Sequence, residues 1–138
     1  MAVASCYCGS IRTSFDPAGA FALHCHCSQC RRLSGAAFTT WLNVPRAGFR
    51  LESGAEFLNA FAVTPNATRH FCRRCGSHVY STDLREPAIV GLPQGIVAGD
   101  DLPLPKVHYY FDSGVSWCDV AASARKAGGA TGREPLDA

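Results

Sequence analysis

The chain has 138 residues, a length that accommodates one domain and argues against a second. Apolar residues make up 47% of it and charged residues 17%, which excludes an intrinsically disordered chain and a polyelectrolyte tail. The formal net charge is only +2, and no run approaches the roughly 18 consecutive apolar residues of a membrane-crossing helix.

Met1–Cys6 carries neither a basic leader nor an apolar run of secretory length, so the expected compartment is the cytoplasm. Thirteen glycines and eight prolines then interrupt the chain every few residues, which favours many short strands over long helices. In chain order, strands are expected at Ser10–Phe15, Ala37–Val44, Glu56–Phe61, Thr68–Cys72, His78–Ser81, Ala88–Gly91 and Lys106–Phe111. These segments are rich in Phe, Tyr, Thr, Val and Trp. The one helical turn expected is Ser28–Leu33, opened by a serine cap. From Ala121 the sequence turns small, polar and glycine-rich, so 121–138 is expected as a flexible tail and 3–120 as the folded domain. The predicted fold class is mainly β, small and irregular, pinned by metal.

Eight cysteines are the unusual feature, and seven fall in three tight groups: Cys6-x-Cys8, Cys25-x-Cys27-x-x-Cys30 and Cys72-x-x-Cys75. Such spacings are too close for long-range disulfide stapling and suit convergence on a metal, with thiol redox chemistry as the alternative. Zinc is the expected ion for clustered thiolates. Seven thiolates around two zinc ions lower the formal charge from +2 to −1, so the apparent basicity lends no support to a nucleic-acid partner.

The two pairs, Cys6/Cys8 and Cys72/Cys75, together supply the four ligands of a closed structural site. In an extended chain Cys6 and Cys8 point to one side, and Gly76 frees the backbone so that its N–H can turn toward sulfur. The middle group offers three thiolates and leaves one tetrahedral position. That position either stays open for catalysis or is closed by Cys118, His24, His26, His70 or His78. Three thiolates around a divalent zinc leave it a weak Lewis acid, poor at making hydroxide, yet able to stabilise a bound substrate thiolate.

Three stretches carry a family resemblance: Cys6-Tyr-Cys-Gly-Ser-Ile11, His24-Cys-His-Cys-Ser-Gln-Cys-Arg-Arg-Leu-Ser-Gly35 and Phe71-Cys-Arg-Arg-Cys-Gly76. They resemble the glutathione-dependent formaldehyde-activating enzyme family, which includes centromere protein V. Gly48-Phe-Arg-Leu-Glu-Ser-Gly54 and His108 before Trp117 also look like family positions, so the likeness runs from about Ser5 to Trp117. It implies a β-sandwich-like domain of the β-tent type around two zinc ions. Cys6, Cys8, Cys72 and Cys75 match the structural zinc ligands, and Cys25, Cys27 and Cys30 the catalytic zinc ligands. The implied activity is that of a carbon–sulfur lyase joining glutathione and formaldehyde into S-(hydroxymethyl)glutathione. The chain departs from the family at Gly95–Asp100 and at Ser116-Trp117-Cys118.

Beyond the cysteines, Arg31, Arg32, Arg69, Arg73 and Arg74 either clamp substrate carboxylates or form a solvated rim. His24 and His26 alternate with Cys25 and Cys27 and are expected to point away from them; His108, Trp41, Phe38 and Phe49 are expected in the core, and Cys118 as a lone thiol. Two functions follow. One is a zinc enzyme acting on a small thiol and an aldehyde. The other is a zinc-stabilised binding module for a nucleic acid or protein, and the missing basic excess weighs against it.

Overall fold

The computed structural model describes residues 1–119 and 124–136. Its strands are β1 (Ala2–Ser5), β2 (Arg12–Phe15), β3 (Phe21–Cys25), β4 (Thr39–Pro45), β5 (Arg50–Ser53), β6 (Leu58–Ala62), β7 (Ala67–Cys72), β8 (His78–Asp83), β9 (Ile89–Pro93), β10 (Val107–Tyr109), β11 (Arg125–Gly128) and β12 (Glu134–Pro135), with one α-helix, α1 (Ser28–Ser34), among the described residues. The protein is mainly β, and its sheets do not close into a barrel. It divides into two compact units: Met1–Ala20 with Leu42–Leu102, and Phe21–Trp41 with the described part of Pro103–Ala138.

In the first unit β1, β2 and β5 form a three-stranded sheet in that order, and β9, β8, β7 and β6 are successive neighbours in a second one. The β6–β7 hairpin is set by its turn chemistry. Thr64 Oγ1 accepts from the backbone N–H of Asn66 (3.1 Å) and Ala67 (2.9 Å), closing the Thr-Pro-Asn corner. β7 pairs antiparallel with β8, with a register shift between His70 and Phe71 just before Cys72. Cys6, Ile11, Cys72 and Val79 form one buried cluster, flanked by Leu51, Phe57, Leu58, Cys75 and Tyr80.

Gly54 is a steric requirement of this unit. Its φ is +89°, and a Cβ there would lie 2.8 Å from Ile11 Cα and collide with the Ser10 carbonyl. Gly54→Ala is therefore expected to cost about 3 kcal/mol or more, combining left-handed strain with a backbone clash. Gly99 also has a positive φ (+100°) but faces open space, so Gly99→Ala should cost only about 1 kcal/mol. Urea unfolding at fixed zinc concentration checks both; equal midpoints for the two variants would show that the Gly54 contact is dispensable.

In the second unit β10 runs parallel to both β3 and β11, pairing His108 with His24, Tyr109 with Cys25 and His108 with Lys126. Strand alternation then gives the sheet two unlike faces. Leu23, Cys25, Trp41, Val107 and Ala127 share one buried cluster with Cys30. His24, His26 and His108 pack against one another on the opposite face.

Each expected strand has an observed counterpart within a few residues, but β1, β3, β5, β11 and β12 were not expected. The stretch expected as a tail is the clearest difference. Ala127 in β11 is fully buried, so the folded part extends past residue 120. Residues 121–123 and 137–138 of that stretch, and residue 120 before it, lie outside the described residues. The helix matches in place but not in its cap: Cys27, not Ser28, is the N-cap residue, and its sulfur accepts from Cys30 N–H at 3.3 Å. Gly35 ends the helix at φ 75°, donating its N–H to Arg31 O.

Candidate functional site

Two sets of sulfurs converge, one in each unit. Cys6, Cys8, Cys72 and Cys75 lie within 4.8 Å of one another, as do Cys25, Cys27 and Cys30. All eight cysteines are free thiols, and three of the pairs stand 3.5 Å (Cys25–Cys27), 3.6 Å (Cys6–Cys8) and 3.8 Å (Cys8–Cys72) apart. Thiolates about 2.3 Å from a tetrahedral zinc are spaced by just under 4 Å, so both donor sets suit that ion.

The four-sulfur set is built from two similar corners. Gly9 (φ +78°) donates its N–H to Cys6 O, and Gly76 (φ +79°) donates to Cys72 O. Gly76 thus uses the backbone freedom expected of it, adopting a left-handed conformation, but its N–H goes to a carbonyl rather than to sulfur. The sulfur of Cys6 instead accepts from Ile11 N–H at 3.3 Å. Residues 7 and 8 lie in a turn, so Cys6 and Cys8 converge through a bend and not through the extended geometry expected. Ser77 fastens the corners together: its Oγ accepts from Tyr7 N–H (3.0 Å) and lies 3.2 Å from Cys75 Sγ. That hydroxyl holds the Cys75 thiol down at about 5, while burial pushes the Cys6 thiol up.

In the three-sulfur set, Cys25 ends β3, Cys27 caps α1 and Cys30 lies in the first turn of that helix. Cys25 and Cys30 are buried, and Cys27 is the most accessible of the three. Hydrogen bonds from the Cys25 and Cys30 thiols favour charge on Cys27 and hold it at about 2, while Cys25 is pushed far up by its bond to Cys27 and by burial. Of the three, the accessible sulfur is the one whose thiolate form is favoured.

Among the described residues no other His, Cys, Asp or Glu joins either set. His70 and His78 belong to the first unit, His70 stacked on Tyr80 at 4.2 Å and His78 Nε2 lying 2.8 Å from Ser81 Oγ. His24 and His26 sit on the face opposite Cys25, as expected: His24 Nδ1 is 2.9 Å from Thr40 Oγ1, and His26 Nε2 is 2.9 Å from His108 Nδ1. Burial first, then the neighbouring His108, holds His26 down at about 4, so its imidazole is neutral at physiological pH. His108 and Trp41 are buried as expected, whereas Phe38 and Phe49 are half-buried. Cys118 lies beside Phe38 and His26.

The arginines divide. Arg31 Nε donates to His26 O at 3.2 Å, bracing the loop that carries the three thiols. Arg73 and Arg74 lie over the Phe57 ring, and Arg74 Nη1 donates to Ser10 Oγ at 3.2 Å, so both brace the four-sulfur set. The His26–His108 pair escaped sequence reasoning, because its members lie 82 residues apart and no local pattern couples them.

The sequence profile described as glutathione-dependent formaldehyde-activating enzyme matches residues 1–113. A Halomonas elongata protein named "Putative glutathione-dependent formaldehyde-activating enzyme" is 28% identical over 124 residues, covering 84% of this chain and 78% of the relative. The crystal structure of a Rhodobacter sphaeroides protein superposes with a TM-score of 0.62 at 25% identity, covering 72% of this chain and 90% of that one.

Proposed function

The chain belongs to the glutathione-dependent formaldehyde-activating enzyme family, and from that premise we propose that it is a carbon–sulfur lyase joining a small thiol, glutathione foremost, to formaldehyde. The reaction takes place at Cys25, Cys27 and Cys30, which hold a catalytic zinc, while Cys6, Cys8, Cys72 and Cys75 hold a structural one. The observation that carries this reading is the unequal donor count, four sulfurs in one set and three in the other. A closed tetrahedral shell has no room for substrate, and a three-ligand shell does. Zinc bound at the three-sulfur site supplies positive charge that lowers the pKa of a substrate thiol.

The protein's own groups do the rest. Cys27 is the accessible member of the set and defines the side from which a thiol approaches. Arg31, tied to His26 O through Nε, retains guanidinium N–H groups that can face a substrate carboxylate. Holding thiol and aldehyde together supplies most of the acceleration, because a bimolecular addition becomes effectively intramolecular. Thiolate chemistry of this kind suits the reducing cytoplasm. No helix among the described residues is long and apolar enough to cross a membrane.

Cobalt substitution tests the reading. Glutathione titrated into the cobalt-loaded protein is expected to change the thiolate charge-transfer band, and adduct formation with formaldehyde should exceed the uncatalysed rate. Mild chelation is expected to remove one metal readily and to leave the other bound. Two equally tight metals with no spectral response to any small thiol would favour the binding-module alternative.

A further inference from the structure

Away from the sulfur sets, β6 of the first unit leaves a sheet edge open. It is the last strand of its sheet and pairs only with β7 among the described residues. The ladder fixes which way its backbone groups point. Val63 N–H donates to Ala67 O and Arg73 N–H to Phe57 O, both at 2.9 Å, and the register between them pairs Asn59 with Phe71 and Phe61 with Arg69. Residues 57, 59, 61 and 63 therefore direct their backbone groups at β7. By alternation the N–H and C=O of Ala60 and Ala62 point outward, while Leu58 N–H turns back to Ala55 O.

Sheet edges are normally blunted by charge, proline, a bulge or a covering segment, because an open edge templates the addition of a further strand. The other edges among the described residues follow that rule. β5 carries Arg50 and Glu52, and β12 is two residues long and ends on Pro135. β1 is covered through the Ala4–Val97 bridge and the bond from Ala98 N–H to Val3 O at 2.9 Å. β6 reads Leu-Asn-Ala-Phe-Ala, with no charge, no proline and no register shift against β7. Its last four residues are exposed, and Phe61 presents an aromatic ring at 52% exposure.

We propose that β6 is the seam of a homodimer, in which two copies of the chain pair β6 with β6, antiparallel, about a two-fold axis at Phe61. In that register Ala60 faces Ala62 of the partner subunit, and the outward groups exchange four N–H···O=C bonds, two on each side of the axis. Phe61 meets Phe61 of the partner subunit at the close, non-hydrogen-bonded position between them, an aromatic cross-strand pair. A second copy suits this edge better than a charged peptide, for which β6 offers no counter-charge. Neutral strand meets neutral strand, each outward donor meets an outward acceptor, and each exposed ring covers its equal, as an isologous interface requires. A seam of five residues a side falls well short of the roughly 20–30 a side of a standard interface, so the dimer is weak and concentration-dependent. None of this depends on the chemistry at either sulfur set.

Sedimentation velocity of the zinc-loaded protein over a concentration series is expected to show a monomer–dimer equilibrium. A reductant keeps disulfides from joining two chains, since all eight cysteines are free. Ala60→Pro removes an outward N–H and leaves the bonds to β7 in place, a position where an edge strand tolerates proline. It deletes two of the four seam bonds and is expected to weaken the dimer roughly tenfold or more. Phe61→Glu and Phe61→Lys each set like charges opposite one another and should each be monomeric over the same concentrations. An equimolar mixture of the two should associate more strongly than either alone, an outcome specific to a register in which residue 61 meets its own copy. Zinc content and circular dichroism show that each variant is folded; should Ala60→Pro fail that check, the charge variants decide. A wild type that stays monomeric at every concentration overturns the proposal and makes an extended segment of another protein the occupant to seek. A dimer left unchanged by these substitutions, or charge variants that gain nothing on mixing, overturns it as well.

Discussion

A protein carrying Cys72→Ser is expected to be insoluble, or unfolded where it is soluble. Cys72 is fully buried and packs with Cys6, Ile11 and Val79 at the centre of the first unit, so this site and the core are the same place. Its set also brings residues 6–8 to residues 72–75, closing a long loop whose ordering a bound metal would stabilise. Structural zinc contributes about 10–16 kcal/mol of apparent binding free energy, against a net domain stability of about 5–15 kcal/mol. Losing one of four thiolates need remove only part of that contribution to unfold the unit, and the serine hydroxyl left behind is itself costly to bury. Zinc content, solubility and circular dichroism melts check this. A Cys72→Ser protein that melts cooperatively at the wild-type temperature would refute a structural role for the four-sulfur set.

The grouping of the cysteines was legible because metal chemistry acts through spacing, and spacing survives ignorance of the fold. Strands such as β7 and β8 were legible for a related reason, being aromatic and β-branched segments bounded by turn residues. β3 was not: its Phe-Ala-Leu-His-Cys sequence is largely buried on both faces, and the alternation that marks a half-exposed strand is absent. β11 reads Arg-Lys-Ala-Gly, which carries no strand signal; it is a strand because β10 pairs with it in parallel, a partner remote in sequence. The cap of α1 was misplaced by one residue because serine is the expected capping side chain, while here a sulfur with thiolate character accepts the same bond. The packing of His26 against Phe38 and Phe111 was out of reach, since the three come together only through tertiary structure.

The complementary substitution, Cys27→Ser, should separate catalysis from folding. Its three-sulfur set lies within six residues, so a metal there orders little remote chain and adds little through loop closure. Cys25 and Cys30 remain buried against Leu23, Trp41, Val107 and Ala127, a cluster on which Cys27 packs as one of four partly buried neighbours. Serine is also a favourable N-cap, so its hydroxyl can take over the bond from Cys30 N–H and α1 keeps its start. What the substitution removes is one of the three converging sulfurs, and the accessible one. Two thiols make a poor zinc site, because zinc sites take three or four protein ligands and deprotonating both in a buried place is costly. The purified variant is therefore expected to hold one zinc per chain where the wild type holds two. Its melting temperature should stay within about 4–8 °C of the wild type, the shift that about 1 kcal/mol produces in a small domain. Adduct formation between glutathione and formaldehyde should fall to the uncatalysed rate. If Cys27→Ser instead unfolds as readily as Cys72→Ser, both metals are structural; if it keeps wild-type turnover, the chemistry does not take place at these three sulfurs.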